Sequence, residues 1–350
     1  MVPDVMAPPV DLEALVKAIR AYPGVTRKHP IADVIGYLPR FAPGAMEPGA
    51  RGGRVLADFG EDCAVIALDD DPDGETILVA ADGIMSTLLE ANPWWAGYCS
   101  VLVNAMDVAA TGGVPYCMVD VVSIKDRRTG RRLLEGVRAG VEKFRIPMVG
   151  GHTHPASEYN AIDVAIVGFA RRRDVIYSHT ARAGDSVVVA VDTEGRFHPD
   201  FRYSFDTTSK RTSEDAVARM LAARELSKRG LLTAGKDISN PGTLGTLGML
   251  LETSGKGAVV DPLRVPAPPW ADLTQWLLSY QGCGVVVTCR PTDVRKVLSG
   301  FRRRGLSAAR IGDVNRGHRL DLETPGAKGR ATLFDFSKEP LTGCGPPKGR

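Results

Sequence analysis

The sequence has no long apolar run, few aromatic residues and no excess of charge of one sign. No apolar stretch approaches the roughly 18–20 residues that a membrane-spanning helix needs. Among its 350 residues, 44 are basic and 41 acidic, which gives a net charge of +3. This balance lacks the strong basic bias of nucleic-acid-binding surfaces. We therefore expect neither a membrane nor a nucleic acid as a partner.

The cysteines do not form any C-x-x-C pair. Most lie in apolar surroundings, where a free cysteine behaves as a small hydrophobic residue, so we expect no disulfide framework. Cys344, in the segment TGCGPP, is the exception, with a context typical of a flexible and exposed thiol.

The first residues, MVPDVMAPPV, lack the basic and apolar regions of a secretory signal, so we expect a cytoplasmic protein.

The length and the alternation of apolar patterns predict two domains of mixed α/β (α+β) class. We expect an N-terminal extension with a helix over residues 1–30 and domains over residues 31–175 and 176–325. The Gly-, Lys- and Pro-rich residues 326–350 predict a loosely held tail.

Three carboxylates stand beside Gly-rich turns within residues 58–115. Asp62 and Asp82 flank predicted strands, and Asp107 lies three residues after Asn104 in a helix rich in small residues. Carboxylate oxygens suit Mg²⁺, which often shares one or two of them with substrate phosphates. Glycines let backbone N–H groups approach phosphate oxygens. The pattern favours a magnesium-nucleotide site, although each Asp alone is equally typical of a turn or a helix cap.

A histidine pair follows two glycines in the segment Gly150–His154. An H-x-H pair can bind zinc. A metal-dependent hydrolase that uses His152, His154 and the acids is therefore an alternative hypothesis for function. It differs from the nucleotide hypothesis in needing a transition metal and no ATP.

The segment Arg40–Arg54 is rich in glycine and contains Arg40, Arg51 and Arg54. It is predicted to be a loop, either a plain surface loop or one that closes over an anionic ligand.

Seven short segments, in this order, carry a family resemblance. They are Gly60–Val65, Ala81–Gly83, Val103–Pro115, Gly150–Thr153, Lys236–Ser239, Gly282–Val287 and Arg310–Val314. The most specific of them is Val103–Pro115, which contains the pattern N-x-x-D-x-A-A-x-G-x-x-P. Over roughly residues 30–320 the chain resembles the AIR synthase superfamily. Its members include aminoimidazole ribonucleotide synthetase, thiamine-monophosphate kinase, selenophosphate synthetase and a hydrogenase maturation factor.

The resemblance implies an AIR synthase-like two-domain fold. The N-terminal domain would hold a four-stranded sheet with helices, and the sheets of two copies would form a barrel-like core in a homodimer. The C-terminal domain would be α/β. The implied cofactors are ATP and Mg²⁺, and the implied reaction is phosphoryl transfer to a small molecule or activation of one of its oxygens.

The resemblance also implies roles for individual residues. Asp62, Asp82 and Asp107 would bind the metal, with Glu61 as a further candidate. Asp107 and Asp237 would serve catalysis. The residues expected to line the phosphates are Asn104, Gly151, His152 and Thr153.

Departures from the family pattern leave the acceptor unidentified. The turn Ser239–Gly242 lacks the acidic residue of the kinase members. No N-terminal Cys/Lys pair of the selenophosphate synthetase type is present, and Cys344 matches the C-terminal thiol of the maturation factor poorly. The alternative to an enzyme is a binding or regulatory protein that keeps the nucleotide site without turnover.

Overall fold

Two mixed β-sheets, each covered by helices, organise the computed structural model, which describes residues 10–38, 53–280, 282–325 and 329–347. Most of the predicted Arg40–Arg54 loop and the first nine residues of the predicted extension lie outside these ranges. In the described ranges, no helix combines the length and the apolar character that crossing a membrane requires.

The N-terminal half contains three short helices and then the first α/β domain. The helices are α1 (Leu12–Arg20), α2 (Pro23–Thr26), α3 (Ile31–Tyr37), α4 (Ser86–Ala91), α5 (Pro93–Ala110) and α6 (Arg127–Phe144). The strands are β1 (Arg54–Ala57), β2 (Ala64–Ala67), β3 (Glu75–Gly83), β4 (Val114–Ile124), β5 (Met148–Pro155) and β6 (Ala161–Arg171).

The described strands of this domain form a six-stranded sheet in the order β1-β2-β3-β6-β4-β5. The implied count of four strands is wrong, because the short β1 and the polar β5 extend the two edges. Gly150–Thr153 is part of β5, whose Gly151 pairs in parallel with Asp120 of β4. The strand went unrecognised because nearly all of its residues are exposed and show no apolar alternation.

Helix α5 is the central element of the first domain. Its N-terminus is capped by Asn92, whose side chain accepts a hydrogen bond of 3.0 Å from the backbone N–H of Trp95. The helix ends before Gly112, which adopts a positive φ of 88°. Because α5 packs against β3, β6 and α6, most of its residues are buried in the core. This burial places Asp107, near the end of the helix, beside the second domain.

The C-terminal half forms the second α/β domain. Its helices are α7 (Ser213–Met220), α8 (Ala222–Ser227), α9 (Gly242–Ser254), α10 (Leu273–Leu277) and α11 (Val294–Arg303). Its strands are β7 (Ser186–Val191), β8 (Arg196–His198), β9 (Phe201–Asp206), β10 (Ala234–Asp237), β11 (Gly257–Val260), β12 (Gly284–Cys289), β13 (Ser307–Asn315), β14 (Arg319–Leu322) and β15 (Ala331–Asp335). Seven of the described strands form one sheet, in the order β10-β12-β7-β13-β11-β14-β15.

The N-terminal helices pack on the second domain rather than on the first. The apolar stripe of α1 belongs to the same core cluster as β7, α9 and β14. Asp11 caps α1 by accepting a hydrogen bond of 3.0 Å from the backbone N–H of Ala14. As a consequence, the turn between α2 and α3 lies over the boundary between the domains.

The prediction of a loosely held tail is wrong for its described residues. Strand β15 pairs with β14, and the chain then returns to α9. There the carboxylate of Glu252 accepts hydrogen bonds from the backbone N–H groups of Leu341 and Thr342, both at 2.8 Å. Cys344, expected to be exposed, is only 7% exposed. The composition of the segment indicated flexibility. The buried carboxylate of Glu252, however, accepts hydrogen bonds from the backbone N–H groups of the segment and holds it in place.

Candidate functional site

A cavity of about 240 Å³ lies between the two domains. The first domain contributes the turn before β2, the end of β3 and one face of α5. The second contributes the end of β10, the turn that follows it and the C-terminal half of α9. The turn after α2 and the C-terminal segment complete the wall. Five of the predicted acids line it: Glu61, Asp62, Asp82, Asp107 and Asp237.

Three of these acids converge. One carboxylate oxygen each of Asp62, Asp107 and Asp237 lies within 4.8 Å of the others, and within the described ranges no other such group of three metal-ligand side chains occurs. Asp82 lies beside this trio at the end of β3. The sequence placed Asp82 with the metal ligands and Asp237 with catalysis, whereas the structure groups Asp237 with Asp62 and Asp107.

Asp62 is held in place by the second domain. Its carboxylate forms an ion pair with Lys236 and accepts a hydrogen bond of 3.0 Å from the backbone N–H of Asp237. Lys236 also donates to the carbonyl oxygen of Gly60 at 3.2 Å. The carboxylates of Asp107 and Asp237, by contrast, accept no hydrogen bond from any residue that the structure describes. Their oxygens remain available to a ligand.

Burial and mutual repulsion alter the acidity of the cluster. Burial raises the pKa of Asp107 well above its usual value, and the charges of Asp237 and Asp62 raise it further. Burial and the charge of Asp62 likewise raise the pKa of Asp237. Burial alone would lower the pKa of Lys236, but the attraction of Asp62 outweighs it and the pKa lies above its usual value. Without a further cation, the cluster therefore favours protonated carboxyls.

Asp82 faces the second cation of the cavity, Lys28. Burial raises the pKa of Asp82, and the positive charge of Lys28 opposes the rise.

Glu61 points away from the cluster and connects the domains instead. Its carboxylate accepts hydrogen bonds from the backbone N–H of Ser178 at 2.6 Å and of His179 at 3.3 Å, and its Oε1 lies 2.6 Å from Nδ1 of His179. Burial would raise its pKa, but these hydrogen bonds hold the pKa below its usual value. With both oxygens engaged, Glu61 is a structural residue rather than a metal ligand.

Asn104 lies in the core, 0% exposed, rather than at the cavity wall where a phosphate would contact it. Its Oδ1 accepts a hydrogen bond of 3.1 Å from the backbone N–H of Asp82, and its Nδ2 donates to the carbonyl of Ser100 at 2.8 Å. Asn104 therefore ties the end of β3 to α5 and positions Asp82.

Gly151, His152 and Thr153 lie on the exposed edge strand β5 and do not line the cavity. The rings of His152 and His154 are neighbours, with centroids 4.5 Å apart. No third ligand joins them among the residues that the structure describes. In a single copy, these histidines and the acids of the cavity therefore do not form one metal-ligand group among the described residues.

Sequence reasoning missed several residues of the cavity wall. Lys28 and Tyr280 come from segments outside the recognised motifs, and Thr342 and Cys344 from the tail predicted to be loose. Lys236 belongs to a recognised motif, but nothing in its spacing indicated an ion pair with Asp62.

Comparisons with known proteins agree with this architecture. The family profile "AIR synthase related protein, N-terminal domain" matches residues 60–170, and "AIR synthase related protein, C-terminal domain" matches residues 186–324. An uncharacterised protein of Methanocaldococcus jannaschii is 41% identical over 335 residues, covering 96% of this chain and 100% of the relative. An uncharacterised Synechocystis protein is 36% identical, covering 83% of this chain and 89% of the relative.

Solved structures show the same fold at low sequence identity. The Thermotoga maritima PurL complexed with ATP has a TM-score of 0.70 at 16% identity, and the match covers 98% of this chain and 53% of PurL. The chain thus spans about half of PurL. ThiL complexed with AMPPCP and TMP has a TM-score of 0.58 at 19% identity, covering 79% of this chain and 92% of ThiL. The hydrogenase maturation protein HypE has a TM-score of 0.60 at 16% identity, covering 74% of this chain and 88% of HypE.

The predicted two-domain fold is therefore confirmed, apart from the strand count and with the dimeric barrel left untested. With both family profiles matched in order across most of its length, the chain belongs to the AIR synthase related family.

Proposed function

We propose that this protein is a magnesium-dependent enzyme that uses ATP to phosphorylate a small molecule or to activate one of its oxygens. The observation that carries the proposal is the convergence of Asp62, Asp107 and Asp237 in a cavity between the domains.

The residues of the cluster fit a hard divalent cation. Their donors are all carboxylate oxygens, the type that Mg²⁺ prefers. Asp107 and Asp237 present oxygens that no described residue hydrogen-bonds, and burial together with repulsion from neighbouring carboxylates raises the pKa of both. Asp62, Asp107 and Asp237 would hold the ion, with Asp82 beside them. Mg²⁺ bound there would neutralise charge on phosphoryl oxygens.

The surrounding residues hold this geometry. Lys236 and the backbone N–H of Asp237 orient the carboxylate of Asp62, and Asn104 orients the end of β3 that carries Asp82. In the proposed reaction, Asp107 and Asp237 are the catalytic carboxylates, since both line the cavity and neither carboxylate accepts a hydrogen bond from a residue that the structure describes. Such preorganised groups favour phosphoryl transfer chiefly by positioning and electrostatics.

The nucleotide half of the proposal is supported by the relatives. Solved PurL structures carry ADP, ATP or AMPPCP, and the ThiL structure carries AMPPCP and TMP. We extend nucleotide binding to this chain because the acids that our site requires lie in the segments matched by the two family profiles.

We also propose a homodimer formed through the open face of the first sheet. The large apolar side chains exposed on β4 and β5 are Val114, Tyr116, Val119, Val121 and Val149. A second copy packed there would cover this apolar patch. It would also bring Gly151, His152 and Thr153 into an interface, and their predicted contact with phosphates would then depend on the dimer.

The deciding experiment is calorimetric titration of the protein with AMPPCP, with and without Mg²⁺, followed by measurement of ADP formation from ATP with candidate acceptors. Magnesium-dependent binding together with acceptor-dependent ADP formation supports the enzyme. Binding without turnover supports the regulatory alternative. Absence of binding under both conditions contradicts the nucleotide site itself.

A further inference from the structure

In the part of the chain that the structure describes, three polar groups at the cavity wall have neither a hydrogen-bond nor an ion-pair partner. The side chain of Lys28 makes no ion pair or hydrogen bond with any residue that the structure describes. Within the same ranges, Oη of Tyr280 and Oδ1 of Asn240 are buried without a hydrogen-bond partner. Buried polar groups are nearly always paired, because an unpaired one has lost its hydrogen bonds to water without gaining others. Two such buried groups, together with the half-buried Lys28 beside the same cavity, indicate that a ligand pairs with them.

Lys28 is held rigidly although it lies in a turn. Its backbone N–H donates to the carbonyl of Val25 at 3.0 Å, and its own carbonyl accepts from Ile31 at 3.2 Å. Val25 is 1% exposed in the core of the second domain. A Cβ atom added to Gly24 would come within 2.2 Å of the carbonyl oxygen of Asn240, so α2 lies directly on that segment. The positions of Lys28 and Asn240 are therefore coupled.

Tyr280 is equally constrained. It is 7% exposed, its backbone N–H donates to Tyr203 at 3.0 Å, and its carbonyl accepts from Phe205 at 2.9 Å. The side chain borders both the main cavity and a smaller niche next to it. Its hydroxyl is therefore a buried donor beside two cavities, with no hydrogen-bond partner among the described residues.

The charges of the cavity separate two roles. Asp62, Asp107 and Asp237 repel an anion unless a metal ion intervenes, which suits the phosphates of a nucleotide. Of the two lysines that line the cavity, Lys236 is already paired with Asp62, whereas Lys28 forms no ion pair with a described residue. Lys28 precedes the segment matched by the family profile, which begins at residue 60.

We propose that Lys28, Tyr280 and Asn240 form the subsite for the second substrate, a small molecule that carries an oxyanion, phosphate or carboxylate, next to a hydrogen-bond donor. Lys28 binds the oxyanion, the hydroxyl of Tyr280 donates to an oxygen of the substrate, and Oδ1 of Asn240 accepts from its hydroxyl or amine. This assignment rests on the proposed function, because it takes the nucleotide to occupy the acid side of the cavity.

The test uses the full chain in two calorimetric steps. First, Mg²⁺–AMPPCP is titrated into the wild type, Lys28→Met, Tyr280→Phe and Lys17→Met, the last being a control because Lys17 is an exposed lysine of the same N-terminal segment. Second, inorganic phosphate and acetate are titrated into each protein saturated with Mg²⁺–AMPPCP. Thermal unfolding of each variant verifies that it folds.

We expect Lys28→Met to weaken anion binding by about 10-fold or more, as for loss of a charged hydrogen bond, and to leave nucleotide affinity within about twofold. Tyr280→Phe should weaken anion binding by about 3-fold to 10-fold, the effect of losing one neutral hydrogen bond. Lys17→Met should bind both anions as the wild type does. Tighter phosphate than acetate binding identifies a phosphorylated substrate, and the reverse a carboxylated one.

Three results overturn the assignment. The first is that the wild type binds neither anion. The second is that Lys28→Met weakens the binding of the nucleotide instead of the anion. The third is that Lys28→Met alters only the affinity for Mg²⁺, as expected of a residue that merely balances the charge of Asp82. Failure of the proposed function is distinct, because it shows as absent nucleotide binding in the first step. The anion titration is then repeated with Mg²⁺ alone, and its dependence on Lys28 still decides the subsite.

Discussion

The backbone N–H of Asp237 donates a hydrogen bond of 3.0 Å to Oδ2 of Asp62, and this bond joins the two domains. The ion pair between Lys236 and Asp62 lies beside it. The carboxylate of one domain is therefore oriented by the strand end of the other. The acid cluster consequently forms only when both domains are packed as in the structure.

Replacing Asp107 with Asn should remove magnesium-dependent AMPPCP binding, weakening it by at least about 10-fold. The change deletes an anionic ligand but keeps the shape of the side chain, and it relieves repulsion from Asp62 and Asp237. We therefore expect unchanged or slightly higher stability without Mg²⁺. Calorimetric titration measures the binding and thermal unfolding measures the stability, with Asp33→Asn on exposed α3 as the control. Wild-type nucleotide affinity in Asp107→Asn would contradict the assignment.

Replacing Lys236 with Met should destabilise the protein by about 3–5 kcal/mol, the usual cost of leaving a buried charge without its partner. The side chains of Lys236 and Asp62 are only 8% and 5% exposed. Adding Asp62→Asn to the variant should restore part of the loss. Denaturant unfolding gives these values. The control is Arg131→Met, which breaks an exposed pair with Glu135 and should cost less than about 1 kcal/mol. Equal costs for the two variants would argue against a buried pair.

The stabilisation that Mg²⁺ provides should grow with pH. The folded pKa values of Asp107 and Asp237 lie above the unfolded value, which is about 3.9. Their stabilising contribution is therefore complete below about pH 4 and is lost as pH rises through the folded pKa values. Since Mg²⁺ binds the deprotonated carboxylates, it restores the stability that is lost as pH rises. Melting temperatures in Mg²⁺ and in EDTA, from about pH 5 to about pH 8, should diverge progressively.

Asp107→Asn provides the control for this pH series, because it removes one of the titrating groups and should reduce the divergence. A magnesium effect that is constant or shrinks as pH rises would be inconsistent with carboxyls that hold protons in the metal-free protein.

Replacing Glu252 with Ala should release the C-terminal segment. Its carboxylate accepts hydrogen bonds from Leu341, Thr342 and Gly343, at 2.8, 2.8 and 3.2 Å. Burial raises the pKa of the Cys344 thiol, so Cys344 should react slowly with a thiol reagent in the wild type. In Glu252→Ala the reaction at Cys344 should be at least about 10-fold faster, because the thiolate forms more readily in water. Mass spectrometry locates the label, and Cys344→Ser is the blank.

Replacing Val121 with Arg should yield a monomer if the open face of β4 and β5 is the dimer interface. A charge introduced into a buried apolar contact has no partner there and disfavours association. Light scattering after size-exclusion chromatography gives the molar mass. The matched control is Leu134→Arg, on the exposed side of α6, which should behave as the wild type. A wild type that is already monomeric would refute the proposed homodimer.

Local patterns predicted those parts of the site that lie at the ends of regular elements. Asp62, Asp82 and Asp107 stand in short motifs where a strand or a helix meets a Gly-rich turn, and Asp237 ends a motif in the second domain. The sequence therefore identified the acids. It could not show that Asp237 joins Asp62 and Asp107, because that arrangement depends on the packing of the domains.

Features decided by distant contacts escaped prediction. Lys28 reaches the cavity because α1 and α2 pack on the second domain, a contact that no local pattern reports. The tail is Gly- and Pro-rich, yet Glu252, which is 89 residues away from Leu341, organises it. Strand β5 is exposed on an edge, so it lacks the apolar alternation by which strands are recognised.

A cluster whose ligands come from two domains makes metal binding and domain docking reciprocal. An ion coordinated by Asp62, Asp107 and Asp237 would act as a chelate between the domains, because neither domain alone supplies all three ligands. Any substitution that favours separated domains must then lower metal affinity, and by linkage the metal must oppose that separation to the same extent. The metal affinity would thus report the free energy with which the two domains of this chain pack against each other.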